Sequence, residues 1–224
     1  MDELNLKPFI YLVTFSYDRV ERVLKKFPNL RALKFQLCGL DNHDGDPVVQ
    51  AVMVHDILTQ LESLFFYQHV NLKPEVEFCL PAKLKKLTLG SFKLTARILS
   101  GIRKLPNLEY LNLKGTESDG YTWRMEEEEE EQFSKLRILK LESQSLRFWS
   151  DSDDDQFGSL EKLVLSGCSD LEEMPCCLEN NTTLQMIKTT GCRSTVTDLV
   201  KKIEEVQTDN GNSNLKIIIS KESS

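Results

Sequence analysis

Apolar residues recur along this chain in one six-residue phrase, L-x-x-L-x-L, whose last two apolar positions are set at period two, with a polar residue between them in most copies. With its first leucine as marker, the phrase stands at Leu30 (LRALKF), Leu61 (LESLFF), Leu84 (LKKLTL), Leu108 (LEYLNL), Leu136 (LRILKL), Leu160 (LEKLVL) and Leu184 (LQMIKT). Leu215 (LKIIIS) marks a last strand, and the markers lie 31, 23, 24, 28, 24, 24 and 31 residues apart. Side chains alternate across a strand, so each phrase predicts a short strand with one buried face. A single unit of this size cannot bury its own leucines; it needs a similar unit stacked on each side.

The fullest unit, Leu160 to Ile187, reads L-x-x-L-x-L-x-x-C-x-x-L, then a polar turn and a second L-x-x-I. That is the signature of a leucine-rich repeat. The predicted fold is an α/β solenoid, a horseshoe with a parallel concave sheet, irregular convex helices and a C-terminal helix–strand cap. Eight strands about 4.8 Å apart make a sheet roughly 35–40 Å along its curve. Residues 1–194 form the repeats, about seven to eight with the first irregular or truncated; residues 195–224 form a cap helix, a last strand and a tail.

Phe9 to Phe15 (FIYLVTF) predicts a strand, and Asp18 to Phe27 a helix capped by Asp18 and ended by Pro28. No polar capping unit precedes them, so the chain reads as cut from something longer or dependent on a partner at that end. Val48–Leu61 and Leu94–Leu105 carry helical stripes and predict convex helices. The hinge F-P-N-L or L-P-N-L, at Pro28 and Pro106, turns a convex segment back into a strand. Thr195–Val206 predicts the cap helix, with Val196, Leu199, Val200, Ile203 and Val206 on one face and Thr195 or Thr197 as its cap. Leu215–Ser220 follows as the final strand.

Composition narrows the function. Of 224 residues 40% are hydrophobic, enough for a sizeable core. A net charge of −7 argues against general nucleic-acid binding. No apolar run approaches the roughly 18 residues of a membrane span, and MDELNLKP lacks the basic start of a signal peptide. Cys38, Cys168 and Cys192 each fall five residues after the second apolar residue of their phrase, the turn slot buried against the backbone of the next coil; Cys79, Cys176 and Cys177 remain. These observations predict reduced structural thiols and a cytoplasmic protein. The acidic runs Glu126–Glu131 and Asp151–Asp155 fall between repeats and predict solvated loops, since neither has the spacing of a calcium loop.

No phosphate loop, dinucleotide fingerprint or nucleophile elbow is present, and His43, His55 and His69 have no metal-ligand spacing. The overlapping sequons at Asn180 and Asn181 carry no weight in a cytoplasmic chain. The reading is therefore a non-enzyme with no cofactor and no metal. What remains is the concave face, where alternation points Lys34, Phe65, Tyr67, Lys86, Tyr110, Asn112, Lys114, Lys140, Lys162 and Lys188 outward. A lysine-rich groove with aromatic anchors suits docking to an acidic or mixed protein surface. The plainer alternative is that lysine keeps a sheet soluble and tyrosine favours strands.

The run from Gly115 through Trp123 and the glutamates to FSKLRILKL, then LRFWSDSDDDQFGSLEKLVLSGCSDLEEMP, then TTLQMIKTTGCRSTVTDLVKKIEEVQTDNGN and LKIII, resembles the C-terminal repeats of plant disease-resistance proteins. These are coiled-coil, nucleotide-binding, leucine-rich-repeat immune receptors, particularly the late-blight-resistance-like group of nightshade plants. The resemblance covers roughly residues 20–220. It implies an intracellular sensor whose repeats recognise a pathogen effector, directly or through a guarded host protein, and hold the receptor's nucleotide-binding module inactive. The chain has no stretch matching the coiled coil or that module, so no nucleotide-binding residue is carried over. Two other readings stand beside it. A stand-alone adaptor or decoy, such as a substrate-binding subunit in ubiquitination, calls for an F-box-like helical segment that is not seen. An extracellular receptor fragment calls for L-x-G-x-I-P phrasing with many sequons.

Overall fold

Each phrase folds as a strand because its two alternating apolar residues can both face one core. The computed structural model describes residues 9–14, 22–37, 58–68, 80–91, 93–118, 122–124, 133–142, 145–150 and 157–221. In chain order its elements begin with β1 (Phe9–Thr14), β2 (Ala32–Leu37), β3 (Ser63–Gln68), β4 (Lys86–Gly90), β5 (Lys93–Leu94), α1 (Ala96–Arg103) and β6 (Tyr110–Lys114). They continue with β7 (Glu117–Ser118), β8 (Thr122–Arg124), β9 (Ile138–Glu142), β10 (Phe148–Ser150), β11 (Lys162–Ser166), α2 (Cys177–Asn180), β12 (Met186–Thr190), α3 (Ser194–Asp209) and β13 (Lys216–Ser220).

Nine strands form one parallel sheet in the order β1-β2-β3-β4-β6-β9-β11-β12-β13. Neighbours in sequence are neighbours in space, which is the leucine-rich-repeat solenoid. The register never slips. Leu33, Leu64, Leu87, Leu111, Leu139, Leu163, Ile187 and Ile217 make one inward ladder. Phe35, Phe66, Leu89, Leu113, Leu141, Leu165 and Thr189 make the second, and Ile219, in register with them on the last strand, is 48% exposed. From Leu33 to Ile187 every rung of the first ladder is at most 3% exposed, so each leucine sits in a fully formed core. Truncating one to alanine there costs about 2–5 kcal/mol.

The marker leucine has a second job. In all seven repeats its N–H donates to the carbonyl three residues back: Leu30 to Phe27, Leu61 to Leu58, Leu84 to Pro81, Leu108 to Leu105, Leu136 to Phe133, Leu160 to Phe157 and Leu184 to Asn181. The hinge expected at two P-N-L sites is thus one turn used throughout, and proline is an option within it.

The return segments differ from one another. Thr95 caps α1 by accepting from the Ile98 amide at 3.3 Å. Leu94, expected to begin this helix, instead lies in β5, which pairs with β7. On a second small sheet, β8 and β10, Trp123 and Trp149 stack 5.3 Å apart, and Phe157 meets Trp149 edge-on at 5.7 Å. At the C-terminal end, α3 buries Val196, Val200, Ile203 and Gln207. Neither Thr195 nor Thr197 caps it: the helix begins at Ser194, and Arg193 stands at the cap with no side-chain bond. Gln207 fixes the helix to the preceding coil by donating to the carbonyls of Leu178 (2.7 Å) and Asn181 (2.9 Å).

Of the expected helix at Asp18–Phe27, residues 22–24 form a helical turn and residues 18–21 lie outside the described residues. Residues 48–57 of the second expected helix, both acidic runs, Cys38, Cys79 and the three histidines also lie outside them.

Candidate functional site: the open face of the sheet

The strand residues between the buried rungs form three straight rows on the sheet's open face, the concave one in a solenoid. The first row holds Ala32, Ser63, Lys86, Tyr110, Ile138, Lys162 and Met186. The second holds Tyr11, Lys34, Phe65, Thr88, Asn112, Lys140, Val164, Lys188 and Ile218. The third holds Gln36, Tyr67, Gly90, Lys114, Glu142, Ser166 and Thr190. All ten sequence-predicted residues are on this face.

Their surroundings differ. Lys34 lies between two rings, its Nζ 4.9 Å from the centre of Tyr11 and 4.8 Å from that of Phe65. The Tyr11 hydroxyl donates to Gln36 Oε1 at 2.7 Å. Phe65 and Tyr67 are parallel at 6.5 Å, and the Tyr67 ring lies across Gly90, where any Cβ would fall 2.1 Å from Tyr67 Cδ2. A compact aromatic patch around one lysine therefore spans β1 to β4. Farther along, Lys140 Nζ lies 5.6 Å from the centre of the Tyr110 ring.

Asn112 is on the face but only 8% exposed, and its amide donates to Glu142 Oε1 at 2.8 Å. Glu142 Oε2 also meets Lys114 at 3.4 Å. Asn112 and Lys114 are thus tied to a carboxylate, whereas Lys86, Lys162 and Lys188 make no ion pair among the described residues.

Sequence reasoning left out Tyr11; alternation points Gln36 and Glu142 outward as well, but neither is among the ten candidates. It also left out a row at the sheet's entry edge, one residue after each marker leucine: Arg31, Glu62, Lys85, Glu109, Arg137, Glu161 and Gln185. Each donates its backbone N–H to the carbonyl of the one before, so these side chains stand in file. The first six alternate in sign. Arg31 meets Glu62 at 3.1 Å, Glu62 meets Lys85 at 3.9 Å, and Arg137 grips Glu161 with two bonds of 2.7 and 2.9 Å. Those bonds hold the Glu161 carboxyl below its ordinary pKa and raise the Arg137 guanidinium above its own. A shallow polar cavity of about 470 Å³ opens beside Arg137, Glu161, Ser159 and Thr183.

The turn cysteines take equivalent stations. Cys168 Sγ lies 3.3 Å from the Leu141 carbonyl, and Cys192 Sγ lies 3.6 Å from the Leu165 carbonyl. Each therefore faces the coil before it, which corrects the expectation that these thiols lie against the coil after. Asn181, in the sequon pair, is buried with its side chain bonded to Phe157 and Thr183.

Among the described residues no helix is long and apolar enough to cross a membrane, and no three metal-ligating side chains converge. The open face offers lysine, aromatic and amide groups, which is the chemistry of docking.

No family model matches the chain. Three curated relatives from Solanum demissum, all putative late blight resistance protein homologs, match over nearly all of it. Homolog R1B-12 is 34% identical over 92% of this chain, R1B-13 is 37% identical over 91%, and R1B-23 is 36% identical over 90%. The chain spans 15%, 17% and 16% of the length of these relatives, respectively.

Proposed function

The chain belongs with the late blight resistance proteins as a leucine-rich-repeat region, and we propose that it is the protein-interaction domain of an intracellular plant immune receptor. In this reading it recognises a pathogen effector or a guarded host protein and restrains the receptor's nucleotide-binding module. The observation that carries the reading is the patch of Tyr11, Phe65 and Tyr67 around Lys34. Clustered aromatic anchors beside a cation are what protein hot spots are made of. Lys34 is already ordered between two rings, so a partner's carboxylate reaches it with less ordering of the side chain left to do. Lys86, Lys162 and Lys188, which make no ion pair among the described residues, extend the same preference for acidic partners.

Two baits test this: the chain itself, and a nucleotide-binding module from a relative expressed separately, with Phe65→Ala/Tyr67→Ala/Tyr110→Ala as the control. Association that the triple variant abolishes, while its circular dichroism is kept, supports restraint through the open face. Association that the triple variant keeps overturns the role of that face. No association with the module or with candidate effectors sinks the receptor reading and favours a stand-alone adaptor or decoy.

A further inference from the structure

The turn after β11 and the turn after β12 are built alike. Ser166 pairs with Thr190 in the sheet, Gly167 and Gly191 have left-handed φ values of 62° and 61°, and a cysteine follows each glycine. Gly167 N–H donates to the Thr190 carbonyl at 2.9 Å, so the two turns are stitched together at the residue before the cysteines. Each sulfur lies 3.6 Å from the carbonyl two residues before it in its own turn. Each also reaches the preceding coil, Cys168 at Leu141 and Cys192 at Leu165. Leu141 and Leu165 are themselves partners in the sheet. The two cysteines are therefore displaced from one another by one strand spacing, about 4.8 Å. A disulfide needs Cα atoms about 4.4–6.8 Å apart.

We propose that Cys168 and Cys192 form a peroxide-sensitive dithiol, in which Cys192 is the attacking sulfur and Cys168 the resolving one, closing a reversible disulfide between adjacent coils. Exposure assigns the roles: Cys168 is 1% exposed and out of an oxidant's reach, while Cys192 is half-buried and open to solvent. Ionisation agrees. The Cys168 thiol, first among the causes, and then backbone groups of Cys168, Thr190 and Gly167 hydrogen-bond Cys192 and lower its pKa to about 6 despite partial burial. The carbonyl contacts at 3.6 Å oppose ionisation but are at the weak limit for a sulfur donor. The lowered pKa raises the share of thiolate, the nucleophilic form.

The Cys192 thiolate attacks one oxygen of hydrogen peroxide, the O–O bond breaks, and hydroxide leaves and takes up a proton as water. The resulting sulfenic acid is attacked by the Cys168 sulfur, which gives up its proton, and a second water leaves. Two thiols and one peroxide become one disulfide and two waters, both electrons coming from the sulfurs. A thiol reductant reverses it.

The test oxidises the intact chain with hydrogen peroxide and maps it without reduction. Trypsin cuts after Lys162, Lys188 and Arg193, and a glutamate-specific protease after Glu173 and Glu179. Cys168, the Cys176–Cys177 pair and Cys192 then fall in separate peptides. The expected product joins the Cys168 and Cys192 peptides with loss of two hydrogens, and dithiothreitol undoes it. Cys168→Ser should leave Cys192 as a sulfenic acid that dimedone traps. First oxidation at the exposed Cys176, a Cys176–Cys192 bridge, bridges between chains only, or no reaction at Cys192 would each overturn the proposal in the unmutated protein.

Discussion

Replacing Gly90 with alanine puts the packing of the open face to a quantitative test. A Cβ on Gly90 falls 2.1 Å from Tyr67 Cδ2, 2.5 Å from Cε2 and 3.1 Å from Cγ. Carbon atoms pack at about 3.5–4.0 Å, so the ring must retreat by about 1.5 Å. Cγ lies next to the Tyr67 backbone, so this is no swing of a free end. Either the ring leaves its rotamer and its stack on Phe65, or β3 and β4 shift apart. Forced overpacking of this kind costs about 1–3 kcal/mol. At about 2–4 °C per kcal/mol for a chain of this size, Gly90→Ala should lower the thermal midpoint by roughly 2–12 °C.

The sign then reverses in a second background. With Tyr67→Ala the space over Gly90 is empty, and alanine in a strand is favoured over glycine by about 0.5–1 kcal/mol because less backbone entropy is lost. Gly90→Ala should therefore destabilise the parent and stabilise the Tyr67→Ala variant. Thermal unfolding of the four proteins closes the double-mutant cycle. Equal destabilisation in both backgrounds would refute the account, because the alanine would then be meeting something other than the ring.

Asn181→Ala removes a buried amide that donates to the Phe157 carbonyl at 2.5 Å and accepts from the Thr183 and Leu184 amides at 2.8 and 3.1 Å. Urea unfolding should report a loss of about 2–4 kcal/mol from the buried groups left unpaired, and a loss under about 1 kcal/mol would contradict the network. The Cys192 thiol, held down at about 6, should be alkylated by iodoacetamide at a rate that is half-maximal near that pH, and a midpoint above 8 would reject the depressed thiol. Its contribution to stability has the matching sign. It is fully present above the unfolded thiol's value of about 8.5 and is lost as pH falls through about 6.

The strand half of each repeat could be read directly because period two is short and every phrase repeats it. Leu87 and Leu89, or Leu111 and Leu113, state their burial within three residues. The return half could not. Trp123 and Trp149 stack on a small sheet whose strands are three residues long, too short for alternation to register. Tyr11 escaped for a related reason: three residues before Ile10, where other repeats carry the marker leucine, the sequence has Lys7. The outward direction of the ten candidate residues follows from alternation alone. Which were bound to one another did not, because Asn112 and Glu142, or Lys34 and Tyr11, are neighbours only once coils stack. The turn that closes every repeat showed itself in sequence only at the two P-N-L sites, Pro28 and Pro106.

Stacking raises a problem that the leucine ladders do not solve. From β4 to β11 every inward rung is leucine, so a coil there could pack on the next but one with little change in its apolar contacts. The entry-edge row distinguishes these arrangements. In the native order Arg31 faces Glu62, Glu62 faces Lys85, and Arg137 faces Glu161. Were a coil skipped, the new junction would join like charges whichever it was: Arg31 to Lys85, Glu62 to Glu109, Lys85 to Arg137, or Glu109 to Glu161. Each skip replaces attraction by repulsion at the junction it makes. Each exposed pair contributes little to the stability of the correct fold. The difference between correct and skipped stacking counts the junction twice, as an attraction lost and a repulsion gained. Weak surface ion pairs are therefore better placed to choose the neighbour than to hold it, which the buried leucines already do.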